Sequence, residues 1–289
     1  MELQAKPPLN PLSMFMRQPK IYIRLPSGGN YWPEGSLELT DTGDFPVYSM
    51  TARDELILKV PDALMNGQAV VDVIQNCMPN VKNAWNVPSI DLDLILIAIR
   101  LATYGEMMTT PVKFSEEFEM EYKVDLRTVM DSLLNQINWE EAVPVNDELT
   151  VFVKPLNYKQ MTESAIKTFE TQKLMQVVNN DNIAEADKIT LFKESFVKLS
   201  NATLGAISNS ISRIESSNGA TEDPQYISEF VENVDKEIYN IINLHLERMS
   251  KQNSIKPVII NVTDEMKENG VKGDTVEIPL TFDPATFFV

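Results

Sequence analysis

From Ser89 the chain reads SIDLDLILIAIRLATYG, and on a helix of 3.6 residues per turn this run has almost no polar face. Leu92, Leu94, Ile95, Leu96, Ile97 and Ile99 point to nearly every side. Such a helix cannot lie on a surface and has to be covered all round. It is too short to span a bilayer and is interrupted by Asp93 and Arg100, so the cover must be protein. Ser89 opens it, Asp91 and Asp93 suit the positive end of its dipole, and Gly105 is a natural C-terminal cap. The segment predicts the buried centre of an N-terminal domain.

The surrounding punctuation divides the chain. Residues 1–30 form an extended arm, since Pro7, Pro8, Pro11 and Pro19 block regular structure. Within it, residues 21–24 are a short strand, and Pro26-Ser27-Gly28-Gly29-Asn30 is turn chemistry. These glycines lack the third glycine and the strand-to-helix setting of a phosphate cradle. Residues 31–110 form a helical domain. Thr51 with Asp54 starts one helix, and Asn66 starts another carrying Val70, Val71, Ile74 and Cys77, which Pro79 ends.

Residues 111–156 read as a small α/β region: a hairpin over 114–124, a helix over 125–137 and a strand over 149–153. Residues 157–253 are nearly all helical, with breaks at 179–182 and 216–219, and predict an antiparallel bundle of three long helices. The third helix carries a stripe of Ile227, Phe230, Val234, Ile238, Ile241 and His245. Residues 254–289 return to strand pattern and end in the aromatic tail Phe287-Phe288. The fold class is α+β, mostly α: a helical N-terminal domain, small β-hairpins and a long antiparallel three-helix insert.

Chemistry-bearing groups are sparse. The single cysteine, Cys77, lies on the apolar side of its helix, and the single histidine, His245, on an apolar stripe. One of each cannot build a zinc site of the usual kind, and no intrachain disulfide is possible. No D-x-D-x-D-G loop occurs, so the expectation is no cofactor, no metal ligands and no catalytic residue. The net charge of −17, from 42 acidic and 25 basic residues, repels phosphates and disfavours nucleic acid as a partner. The N-terminus has no continuous apolar signal region, and a cytoplasmic protein is expected. Met14, Phe15 and Met16 in the arm, Tyr31 and Trp32 after the turn, and Phe287 and Phe288 at the tail are candidate partner-binding anchors. For the tail, an ordinary docked terminus is the alternative.

Several separated motifs follow one another along the chain: Asn10-Pro11-Leu12 with Arg17 and Pro19, Leu25-Pro26-Ser27-Gly28, Met50-Thr51 with Asp54-Glu55, and Asn66-Gly67 with Cys77. Arg100 with Tyr104-Gly105, Val124-Asp125-Leu126, Lys154-Pro155-Leu156-Asn157-Tyr158, and the tail from Ile278 to Phe288 continue the series. In this order they resemble the baseplate hub subunits of T-even-type contractile phages. Relatives often carry paired C-x-x-C knuckles before the segments at 118–126 and 276–282, where this chain has no cysteine. EFEMEYKVDL and GDTVEIPLTFD also resemble each other, as two zinc-ribbon hairpins that had lost their metal would. Apolar packing and neighbouring segments are then expected to hold them.

The resemblance implies a non-enzymatic baseplate component acting in assembly of the central hub, as a structural subunit or as a chaperone. Its partners would be other baseplate or hub proteins and the tape-measure protein, met in the host cytoplasm and in the tail. Two other readings stand beside it: a carboxylate-dependent cell-wall hydrolase of the tail, and a generic helical adaptor. A cleft holding one carboxylate of strongly raised pKa would favour the hydrolase.

Overall fold

The computed structural model describes residues 12, 16–114, 118–136, 138–178, 185–278, 280 and 287–288. The described chain begins with β1 (Pro19–Ile23) and β2 (Phe45–Tyr48), an antiparallel pair. Three helices follow, α1 (Ala52–Ile57), α2 (Pro61–Met65) and α3 (Gln68–Cys77), and then the long apolar α4 (Ser89–Tyr104). Leu94, Ile95, Ile97 and Ile99 of α4 are fully buried. Each is worth roughly 1.5–3 kcal/mol relative to exposure, so this helix is a main apolar support of the domain. Its cover comes from separated parts of the chain: Val47 of β2, Val70 and Ile74 of α3, and Phe287 and Phe288 of the tail.

Local chemistry explains the helix ends. Thr51 and Asp54 form a reciprocal capping box at the start of α1. Asn66, expected to cap α3, instead ends α2, and its Oδ1 accepts from the Gln68 backbone N–H at 2.9 Å. The cap itself is Gly67, at φ 81. A Cβ there would also come within 3.1 Å of Thr162 and the Tyr158 hydroxyl, so glycine admits both the left-handed turn and a close neighbour. At α4, Pro88 takes the cap position ahead of Ser89, and Gly105 ends the helix at φ 90.

Next come the hairpin β3 (Met107–Lys113) and β4 (Glu119–Asp125), then α5 (Leu126–Gln136). β5 (Ala142–Asn146) and β6 (Leu149–Val153) pair antiparallel. From β6 the chain leaves as α6 (Tyr158–Val178) and returns as α7 (Glu185–Ser210). It re-enters the same sheet as β7 (Ile211–Ser216), turning into β8 (Gly219–Thr221), in the order β5-β6-β7-β8. α8 (Pro224–Asn233) and α9 (Lys236–Gln252) cover that sheet. The chain ends with β9 (Val258–Asn261), α10 (Asp264–Glu268) and β10 (Thr275–Ile278), with β10 antiparallel to β9.

At about 49% helix and 22% strand, this is an α+β, mostly α fold. The expected three-helix bundle requires correction. α6 and α7 form a helical hairpin, but the third helix is divided and packs elsewhere. The break at 216–219 is the turn of the β7–β8 hairpin, where β-branched Ile211 and Ile214 face the sheet core and the backbone groups of β7 satisfy the open edge of β6. The expected continuous third stripe is interrupted at Val234, whose backbone is extended (φ −70, ψ 150), so α8 and α9 each turn an apolar side to the sheet.

The β3–β4 and β9–β10 hairpins meet in a separate apolar cluster. Ile260, Met266 and Ile278 pack there with Val112, Phe114, Phe118 and Met120. Apolar side chains therefore join the two segments that resemble zinc ribbons.

Phe287→Ala leaves a void against α4 and is expected to lower stability by about 3–5 kcal/mol. This would appear as a reduced urea midpoint with little change in slope. An unaltered midpoint would mean that the tail adds nothing to the core.

Candidate interaction surface

The motif residues of the N-terminal domain collect into three polar anchors. In the first, the Arg17 guanidinium donates to Ser49 O at 2.8 Å and to Asn76 O at 2.5 Å, and lies 3.6 Å from the buried Asp54 carboxylate. Asn76 Nδ2 donates to the other Asp54 oxygen at 2.8 Å, tying α3 to the start of α1. Cys77 sits beside them, its thiol pushed up to about 12 by burial and by Asp54. At neutral pH it stays a thiol and is a poor nucleophile.

The second anchor is Asp91 of α4. Its Oδ1 accepts from Ser27 N–H at 2.8 Å, and its Oδ2 accepts from Ser27 Oγ at 2.5 Å and Trp32 Nε1 at 2.8 Å. Burial raises its carboxyl to about 6, against the lowering effect of these donors. Asp91 therefore does more than favour the helix dipole: it pins the Leu25-Pro26-Ser27-Gly28 turn to the central helix.

In the third anchor, Arg100 lies 5.2 Å from the ring centres of both Tyr104 and Phe287 and donates to Phe287 O. The Tyr104 hydroxyl sits 2.9 Å from Phe288 O and 3.0 Å from Glu55. Burial lowers the Arg100 pKa.

These anchors account for most of the sequence candidates. Phe287 and Phe288 are each 3% exposed and fill their own subunit's core, the docked alternative of the two left open. Trp32 is held by Asp91, and the Tyr31 hydroxyl donates to Glu141 at 2.5 Å. Met16 is 55% exposed, while Met14 and Phe15 lie outside the described residues. His245 and Cys77 share no neighbour. The His245 Nδ1 faces Arg248, which leaves Nε2–H to donate to Glu140 O at 2.9 Å. Among the described residues, no group of three or more His, Cys, Asp or Glu side chains could hold a metal ion.

Two surfaces escaped the sequence reading. The first is the outer face of α7, where Ile189, Phe192, Phe196 and Val197 are each more than half exposed. Lying three, seven and eight residues after Ile189, the other three share one helical stripe with it. The hairpin instead buries Thr171 and Ser195, and Ser195 Oγ has no hydrogen-bond partner among the described residues. Lys188, Lys193 and Lys198 flank the apolar stripe.

The second surface is a groove of about 920 Å³ between α2–α3, α4 and α6, walled by Leu64, Val70, Leu92, Leu96 and Met161. Asp93 stands in this wall and also lines a cavity of about 420 Å³ toward α9. It is partly buried, has no hydrogen-bond or ion-pair partner among the described residues, and burial alone raises its carboxyl to about 6.

A family model described as T4 bacteriophage base plate protein matches residues 33–273. The chain belongs to this family. The matched span runs from before β2 to just past α10, so the Ser27 turn and the aromatic tail of this baseplate protein lie outside it. No curated protein and no solved structure matches the chain.

Asp93 makes a testable contribution to pH dependence. Its folded pKa of about 6 exceeds the ordinary value of 3.8, so the folded chain holds this proton more tightly than the unfolded chain does. The stability linked to it is full below about pH 4 and is lost as pH rises through about 6. Asp93→Asn is expected to remove that slope and to raise the melting temperature at pH 7.5 relative to wild type. Parallel wild-type and variant curves from pH 4 to 7.5 would show that Asp93 is not desolvated.

Proposed function

We propose that this baseplate protein acts in assembling the central hub, without catalysis, by docking the α6–α7 hairpin onto a neighbouring baseplate or hub protein. The observation that carries this reading is the inverted pattern of the hairpin. Among its described side chains it buries Thr171 and Ser195 and exposes Phe169, Ile189, Phe192, Phe196 and Val197, and only near the sheet do Ile207 and Ser210 turn inward. In water that arrangement leaves apolar area uncovered, and covering it on a partner recovers about 25 cal/mol per Å² before the costs of association. The flanking lysines suit a partner presenting apolar and acidic groups. The net charge of −17 opposes self-association before assembly. The setting is the host cytoplasm during assembly, with hub proteins and the tape-measure protein as the partner class.

Phe192→Ser with Phe196→Ser alters side chains already in water, so the fold should change by within about 0.5 kcal/mol per site. Incorporation into tail intermediates should fall at least tenfold, read by quantitative mass spectrometry of gradient fractions from infected cells. In the same experiment, a fixed few copies per purified virion mark a structural subunit, and presence in intermediates alone marks a chaperone. Absence from both overturns the assembly role.

One observation favours the hydrolase instead: Asp93 has the raised carboxyl of a general acid, and Glu247 lines the same smaller cavity. Opposing it, Glu247 Oε1 already accepts from Asn243 Nδ2 at 2.8 Å, and the larger groove that Asp93 also lines is walled mainly by aliphatic side chains. Release of soluble fragments from purified peptidoglycan by wild type, abolished in Asp93→Asn, would establish hydrolysis.

A further inference from the structure

Asp93 has no internal compensation. Asp91, two residues earlier on the same helix, is held by three donors, whereas Asp93 makes no hydrogen bond among the described residues and stands between the mainly aliphatic groove and the smaller cavity, which serines and asparagines also line. Burying an unpaired carboxylate is unfavourable unless something neutralises it. The groove's lysine, Lys173, rests over the Phe169 ring of the same groove, its ammonium 4.4 Å from the ring centre, and makes no ion pair with Asp93. Across the smaller cavity, Glu247 adds negative charge, and at the far end of the groove Glu170 does the same. The opening is therefore apolar along most of its length and acidic at its wall, and among the described residues no cation pairs with Asp93.

We propose that this groove receives a segment of another baseplate protein that carries an apolar face and one lysine or arginine, with the cation paired to Asp93. The volume of about 920 Å³ accommodates several aliphatic side chains as well as the basic one. A second copy of this chain is the poorer occupant, because two chains of net charge −17 repel as they approach. The baseplate reading supplies only the source of the partner. The groove and its unpaired charge stand on their own geometry and share no residue with the α7 stripe. Pairing would turn an unfavourable buried charge into a specific contact: an apolar segment with a neutral or acidic residue at that place would leave Asp93 desolvated and unpaired.

The test uses the full chain in infected cells, with p-benzoylphenylalanine at Met65, a residue 60% exposed at the groove. Irradiation followed by mass spectrometry of the cross-linked peptide is expected to identify a segment of another baseplate protein containing Lys or Arg among apolar residues. A synthetic peptide of that segment should bind the purified chain, and Asp93→Asn should weaken binding at least tenfold. Replacing the peptide's basic residue with Met should weaken binding to wild type similarly, yet add little in the Asn variant, as a double-mutant cycle requires. Since Asp93→Asn is expected to fold at least as stably as wild type, its melting temperature separates lost pairing from lost fold.

The proposal is overturned if the cross-link joins residues of this chain, a second copy, or a segment without a cation. It is equally overturned if the Asn variant binds as tightly as wild type. If cross-links are absent while the chain is present in tail intermediates, the groove proposal fails and the assembly role survives.

Discussion

Covering one apolar helix on all sides organises the N-terminal half of this protein. α4 has no face that water would solvate well, so its stability depends on recruiting neighbours from distant parts of the chain. The recruited pieces are short: two strands, small helices and a pair of phenylalanines at the far end of the sequence. None of these is long enough to be stable alone, and each gains its conformation by lying against α4. The helix is therefore a template, and the local turns and caps determine where each piece meets it.

The polar anchors supply register to that packing. Hydrophobic contact is non-directional, whereas the Asp91 carboxylate accepts three hydrogen bonds only when the Ser27 turn and the Trp32 indole occupy one arrangement. Asp54 does the same for the start of α1, α3 and the arm, and Arg100 for the tail. Set against these satisfied groups, Asp93 stands apart. It shares the helix with Asp91, is less deeply buried and lacks its donors, so the same element carries one carboxylate that specifies the fold and another that offers binding energy.

The second half follows a different logic. The helical hairpin leaves and re-enters one sheet between adjacent strands, with Val153 opposite Ile211. Its base is fixed by backbone pairing and by the β5–β8 core, so its outer apolar face is free of any structural duty within the subunit. A hairpin rooted in a sheet and apolar on its outer side suits assembly, because binding can use that surface without disturbing the three apolar clusters.

Local signals alone determined a good deal of this protein. α4 and its glycine end, the Thr51 capping box, the 149–153 strand, the C-terminal strand pattern and the α+β, mostly α class all follow from short-range periodicity and turn chemistry, whereas the hairpin expected over 114–124 instead pairs Met107–Lys113 with Glu119–Asp125. Tertiary structure decided what periodicity cannot carry. The stripe on α7 looks the same in sequence whether it faces a bundle or solvent. Only the return of Ile211 to the edge of β6 rules out the third bundle helix. The roles of Asp91 and Asp93 differ only because Ser27 and Trp32 reach one of them through space. The aromatic tail likewise reads as an anchor of either kind until Arg100 is found beneath it, since a sequence records which side chains seek burial but not which surface provides it.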